Sequence, residues 1–373
     1  MALVICLPFL AVAQHQARPV TVEQLEQELM AAHDTPDAKA AHQISDLKLT
    51  ERMSDAKLAS WKTRLPGAKS WDALLAVADL SAFLDPPATE IPATAPPDLA
   101  AQQRMMSNVI DYLKTTIPKL PNFIATQTTI RYEEYRLDDR LPSEDDHVDR
   151  PLQKTGSTDA TVFYRNGIDV VEAPSKSGKI TIAEDERLKT TGTFGPILSR
   201  LLPNTLASHS IFSWSHWEQE AGGVRAVFRY AVPENKSLYE IVFCCLPESN
   251  GTAVYKKQPG YHGEIMVDPV SGAILRMTVE AELKPNLPVI QSEIMVDYRP
   301  VEIGGKTYIC PSRSIYFVRG RSVRPHNDFV SGYSMVYGPY ISLLNDVSYE
   351  NYHIFRAESR ILATDEPAPN GKP

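Results

Sequence analysis

At 373 residues, with 23% charged side chains, the chain has the composition of a soluble globular protein with room for a sizeable core and two structural units. Its formal charge of −8 excludes a general nucleic-acid partner. Nine scattered histidines and four cysteines give no zinc-ligand spacing, so neither a metal nor a cofactor is implied.

Residues 2–13 (ALVICLPFLAVA) are uncharged and largely apolar, and Ala11-Val12-Ala13 before Gln14 has the small-x-small pattern of a signal-peptidase site. A buried N-terminal helix is the competing reading, which Pro8 and the missing periodicity disfavour. The segment is too short to span a bilayer. A signal peptide over residues 1–13 is therefore expected, although it lacks a basic n-region, with a soluble periplasmic chain after cleavage and no transmembrane segment. Cleavage removes Cys6 and leaves Cys244, Cys245 and Cys310. Ile241, Phe243 and Cys245 share the apolar face of one strand, so the expected disulfide joins Cys245 to Cys310, with three unpaired buried thiols as the alternative.

Residues 20–84 carry helical signals and predict a small all-α N-terminal region. Thr21 with Gln24 forms a capping box before residues 22–32, and Thr35-Pro36 opens a second helix. Ser54 caps a third, which Pro66-Gly67 stops, and Ser70 opens a fourth. Trp61 and Trp71 read as the core of this unit. Residues 85–97, rich in proline, form an extended linker. A long amphipathic helix follows from Asp98 to about Thr116, with Leu99, Met106, Val109, Ile110 and Leu113 on one stripe.

After that helix, strands dominate. The segment 123–135 alternates with period 2, and the acidic stretch 137–154 reads as a solvated loop. Asn166-Gly167 marks a hairpin, and a helical turn is expected near 195–202, where Phe194, Gly192 and Gly195 form a corner or a cavity mouth. Further strands are expected at 210–218, 224–232, 239–246, 291–298, 306–310 and 313–318, with the last between 335 and 361. The clearest hairpin spans 261–282, with Asp268-Pro-Val-Ser-Gly272 as its turn. Leu275, Met277 and Val279 alternate there with Arg276, Thr278 and Glu280, so one side is buried and the other is expected to be solvated. The fold class is α+β: a large curved antiparallel sheet, open or an unclosed barrel, with a packed helix over residues 98–362 and a disordered tail at 363–373.

The helix-to-strand entry at 109–127 (VIDYLKTTIPKLPNFIATQ), the turn Asp268-Pro-Val-Ser-Gly272 with Ile274-Leu275-Arg276, and the segment 298–306 together resemble the outer-membrane lipoprotein carrier superfamily (LolA/LolB/RseB-like). The resemblance implies a curved sheet around a helical lid, with an apolar ligand or lipid acyl chain on the concave side. No lipobox cysteine follows the signal, so no membrane anchor is implied.

Catalytic motifs are incomplete. Ser175-Lys-Ser-Gly-Lys179-Ile180 lacks the first glycine of a phosphate loop and its Ser/Thr, and Gly332-Tyr-Ser334-Met-Val336 lacks the last glycine of a nucleophile elbow. His216, between Trp214 and Trp217, reads as a strand residue. Glu264, Asp268, Glu280 and Glu282 are acid/base candidates that only a cleft with paired carboxylates of raised pKa would promote. The sequence thus points to a non-enzymatic binder or carrier of an apolar ligand, lined by Ile265, Val267, Leu275, Met277, Val279, Ile294 and Val296, residues that a filled core would use equally. The rival is an interaction or sensor module that grips another envelope protein through its helical region. Arg313, Arg319, Arg321 and Arg324 are a candidate patch for an anionic partner, or else solvated arginines.

Overall fold

The computed structural model describes residues 17–134, 150–165, 168–172, 188, 211–220, 222–248, 251–328 and 332–355. Residues 1–16 with the expected signal peptide, most of the acidic stretch after residue 136, the corner around Phe194, the phosphate-loop-like segment and the tail lie outside these residues.

The N-terminal unit holds β1 (Arg18–Val20), α1 (Val22–Ala32), α2 (Asp37–Ser45), β2 (Leu47–Leu49), α3 (Asp55–Trp61) and α4 (Ala68–Leu80). The capping box forms as the sequence requires: the Thr21 hydroxyl accepts from the Gln24 N–H at 3.2 Å, and the Thr21 N–H donates to Gln24 Oε1 at 3.0 Å. The unit is not all-α, because β1 and β2 pair in parallel. Strands of three residues are too short to carry a readable period, and they form because Val20, Leu47 and Leu49 enter the unit's core. Ser70 lies inside α4 and does not open it. The helix start is capped from a distance by Asp37, whose carboxylate accepts from the N–H groups of Ser70 at 2.9 Å and Lys69 at 3.1 Å. Those bonds, chiefly from Ser70, hold Asp37 below the usual carboxylate range. Trp61 is buried in this core and Trp71 packs at its margin.

Helix α5 (Leu99–Thr115) follows, N-capped by Asp98. Then come β3 (Phe123–Glu134), β4 (Leu152–Arg165), β5 (Ile168–Glu172), β6 (Ile211–Glu220), β7 (Gly223–Val232), β8 (Ile241–Glu248), β9 (Gly251–Lys257), β10 (Tyr261–Val267), β11 (Ile274–Ala281), β12 (Val289–Ile303), β13 (Lys306–Asp328) and β14 (Gly332–Ile354). Ten of these build one open antiparallel sheet in the order β5-β4-β3-β14-β13-β12-β11-β10-β7-β6, while β8 and β9 form a separate hairpin. The fold is α+β with an unclosed antiparallel sheet.

Side-chain alternation divides this sheet into two covered faces. On one, Ile265, Met277, Val296 and Val318 pack against Met105, Val109 and Leu113 of α5 and against Ile241 and Phe243 of β8. On the other, Tyr132, Leu152, Met295, Ile315, Phe317 and Leu344 pack against the N-terminal unit. The 268–272 turn is pinned to α5. Gly272 has φ +70°, and a Cβ there would lie 2.2 Å from the Asn108 carbonyl carbon. Asn108 Nδ2 donates to the Val270 carbonyl at 3.0 Å.

Candidate functional site

The helical unit sits on the charged face of the sheet, the one expected to be solvated. Arg276, Asp297, Arg313 and Asp346 stand on that face of four consecutive strands, in register as Arg276↔Asp297, Asp297↔Arg313 and, diagonally, Arg313 to Asp346. The N-terminal unit supplies Arg52, Asp55 and Asp79. Arg313 is the hub: its Nε donates to Asp346 at 2.9 Å, one terminal nitrogen donates to Asp55 at 3.1 Å, and the other donates to Asp79. Arg299 also bonds Asp55. A second group joins Arg276 Nε to Asp297 at 2.7 Å and Arg276 to Glu218 at 3.8 Å, with Arg52 bonded to the same Glu218.

Electrostatics in this network follow the count of partners. Burial alone would raise Glu218, but the His216 hydrogen bond and the charges of Arg52 and Arg276 hold it down to about 2. Asp55 is likewise lowered, because Arg313, Arg276 and Arg299 outweigh its desolvation. Asp79 behaves oppositely: it is wholly buried, and desolvation reinforced by Asp346 and Asp55 pushes it well above the carboxylate range despite Arg313.

Beside the network, between α4 and the sheet, lies a cavity of about 260 Å³. Ala73, Ala76, Val77 and Leu80 of α4 form its apolar wall, and Glu280, Glu293, Phe317 and Arg319 face them from the sheet. A second, more open cavity of about 400 Å³ adjoins it, lined by Arg229, His262, Glu264 and Thr278, and both share Phe83, Leu84 and Glu280. Glu280 and Glu293 are direct cross-strand partners, which places their Cβ atoms about 5 Å apart. Burial, reinforced by Glu264 and Asp85 against Arg229, pushes Glu280 up to about 7. Burial also raises Glu293 to about 7, with Glu280 adding to it and the Gln291 hydrogen bond and His262 opposing.

The expected site residues fall elsewhere. Ile265, Val267, Met277, Val279, Ile294 and Val296 belong to the core cluster that α5 and β8 enter, Leu275 is half-buried beside a register shift, and none of the seven lines either cavity. The arginines do not form one surface patch. Arg313 is consumed by the buried network, Arg319 lines the cavity, Arg321 stacks over Tyr340 at 4.9 Å, and the side chain of Arg324 lies outside the described residues. The four fail to share a surface because Arg313 and Arg319 lie on the face the helical unit covers. Nor does Cys245 pair with Cys310: Cys310 is a buried free thiol, and Cys244 is disulfide-bonded. Cys310 packs with Phe123, Val162 and Tyr164 in a cluster separate from the one that holds β8. Of the acid candidates, Glu280 enters the site, Glu264 pairs with Arg229 at 3.0 Å, Asp268 pairs with Arg225 in the turn, and Glu282 stays largely exposed. His216 is a strand residue, bonded through Nδ1 to Ser215 at 2.9 Å.

Glu293, Gln291 and the α4 wall are not legible as a site, because each strand alone shows only ordinary polar alternation; Arg319 is offered by the sequence only as part of an arginine patch. The signal available was the run of charges on one face of four neighbouring strands. Among the described residues no helix is long and apolar enough to cross a membrane, and no group of three or more His, Cys, Asp and Glu side chains is arranged to hold a metal ion. No protein-family profile, curated protein or solved structure matches the chain.

Proposed function

We propose that this is an exported, periplasmic binding protein, without catalytic activity, for a small amphipathic molecule held between α4 and the charged face of the sheet. The observation that carries the reading is the cavity itself: an apolar helix wall opposite a carboxylate pair and a buried arginine, the mixture of apolar surface and few polar groups that small-molecule sites share. The likeness to lipoprotein carriers supports a ligand with an apolar part, with the binding face moved from the α5 side to the helical-unit side. The ion network supports it as well, since it fixes α4 over the sheet and keeps the cavity walls in place.

The test is uptake of 8-anilinonaphthalene-1-sulfonate by the full chain, read as fluorescence, together with native mass spectrometry for a co-purified small molecule. Ala76→Phe fills the cavity from the α4 side and is expected to abolish uptake while circular dichroism stays unchanged. Equal uptake by a folded Ala76→Phe protein would remove the cavity from consideration.

The carboxylate pair favours a second reading, acid–base hydrolysis. Two carboxyls on directly paired residues beside a cavity, each raised to about 7, can divide the roles of acid and base. Turnover of a chromogenic glycoside that Glu280→Gln eliminates would displace the binding reading.

A further inference from the structure

Outside the cavity under α4, strand β6 brings a serine, a histidine and a carboxylate into line. Trp214 pairs with Phe228 and His216 pairs with Val227, so Ser215 is the extra residue of a β-bulge. A regular strand would send Ser215 and His216 to opposite faces of the sheet. The bulge lets both reach the same side, where Ser215 Oγ lies 2.9 Å from His216 Nδ1. His216 Nε2 lies 3.4 Å from Glu218 Oε2, and Arg52 and Arg276 hold that carboxylate. An ionised carboxylate only accepts, so the hydrogen on Nε2 points to Glu218. The neutral ring then turns a bare Nδ1 toward the serine, the tautomer that a general base needs.

Ser215 Oγ also lies 3.3 Å from Glu264 Oε1, and Arg229 Nε donates to the same carboxylate at 3.0 Å. Glu264 and Arg229 line the second cavity, with Phe83 and Leu84 on its apolar side. The serine hydroxyl is therefore one hydrogen bond from a space that admits a small ester. A guanidinium on the wall of that space can face negative charge developing on a carbonyl oxygen. Going beyond the binding reading above, we infer that Ser215 is a nucleophile that takes the acyl group of a small carboxylic ester, with His216 as its base and Glu218 positioning the ring. In that step Ser215 Oγ bonds to the acyl carbon, and the bond from that carbon to the alkoxy oxygen of the ester breaks. The hydroxyl proton moves to His216 Nδ1 and from there to the departing oxygen, leaving an acyl-serine and an alcohol. Each chain consumes a single ester and no turnover is required, so the step is compatible with a protein whose α4 cavity only binds.

The full chain mixed with 4-nitrophenyl butyrate tests this, with nitrophenolate release followed by absorbance and the adduct located by peptide mass spectrometry after acid quenching. A single equivalent of nitrophenolate and a butyryl group on Ser215 are expected. Ser215→Ala should lose both, and His216→Gln should slow labelling about a hundredfold with the serine still present. Labelling confined to other residues, no adduct at all, or an unchanged rate in a folded His216→Gln protein would overturn the inference. Glu264→Gln separates the two acceptors even if His216→Gln does not fold. Labelling that persists in it supports His216 as the base, and labelling lost with it assigns the proton to Glu264 and overturns the inference. Uptake of the naphthalene probe by Ser215→Ala should match the parent, so this inference and the α4 cavity reading fail separately.

Discussion

The two faces of the sheet are held by different physics. The α5 face is a largely apolar core: Ile265, Val267, Val289 and Val296 are fully buried, and β8 adds Phe243 over Gly320, where a Cβ would lie 2.7 Å from the ring. Such packing is non-directional and roughly proportional to the area removed from water. The helical-unit face adds to its apolar contacts, such as Met295, Ile315, Phe317 and Leu344, directed bonds between guanidinium and carboxylate groups, and a cavity interrupts it. Burying ions contributes little net stability against an apolar replacement, whereas it specifies orientation and leaves large penalties when one partner is lost. The difference indicates a division of labour: both faces bury apolar side chains, and the directed bonds of the second fix where the helical unit sits.

The largest effect expected from breaking this comparison is at Arg313. Arg313→Met removes the hub and leaves Asp55, Asp79 and Asp346 facing one another under the helical unit. A loss of about 3–5 kcal/mol is expected in urea unfolding. Adding Asp79→Leu should recover part of that loss, because one of the stranded carboxylates goes with it. If the double variant is less stable than Arg313→Met, the network is not acting as a charge-balanced unit.

The apolar face should respond differently. Ile265→Ala deletes three buried carbons from the cluster around α5, and a loss of about 2–4 kcal/mol is expected. The pH dependence of stability from acid to neutral should be unchanged, since the tyrosines in that cluster (Tyr230, Tyr239, Tyr298 and Tyr316) are raised by burial above the ordinary phenol value. A pH profile altered by Ile265→Ala would mean that the two faces are coupled through the sheet.

How far the sequence revealed these faces depended on where the information lay. The 261–282 hairpin was legible because its alternation is local, and it forms as β10 and β11. In the sequence the long strand β13 reads as two pieces, 306–310 and 313–318, on either side of Pro311, and β14, which contains Pro339, reads only as strand somewhere between 335 and 361. Both prolines sit at register shifts, beside Asp297/Tyr298 and opposite Arg321/Val323, where a bulge removes the need for a ladder N–H. The short strand β9 was missed altogether, because it stands alone with β8 outside the large sheet. The charged face was misread as solvated for a deeper reason. Its partners, Asp55 and Asp79, are more than 230 residues away from Arg313, and no periodicity within a strand announces what will cover it.

The smallest effect, and the one that sharpens the comparison most, concerns Glu293. Its folded-state pKa is raised from 4.5 to about 7, first by burial. Between those values the folded chain binds more protons than the unfolded chain, so this group's contribution to stability is fully present below about 4.5 and is lost as pH rises through 7. Glu218 has the opposite sign: held near 2, its contribution is present above the ordinary range and is lost only as pH falls toward 2. The two carboxylates lie on the same face, so the midpoint of unfolding should fall on both sides of a mildly acidic optimum. Glu293→Gln is neutral at every pH and should flatten only the alkaline side. A gain of about 1–2 kcal/mol at pH 8 and none at pH 4.5 is expected from urea titrations at the two pH values. The same gain at both would assign the penalty to packing, and would leave the carboxylate pair without the electrostatic role that a charged ligand end requires.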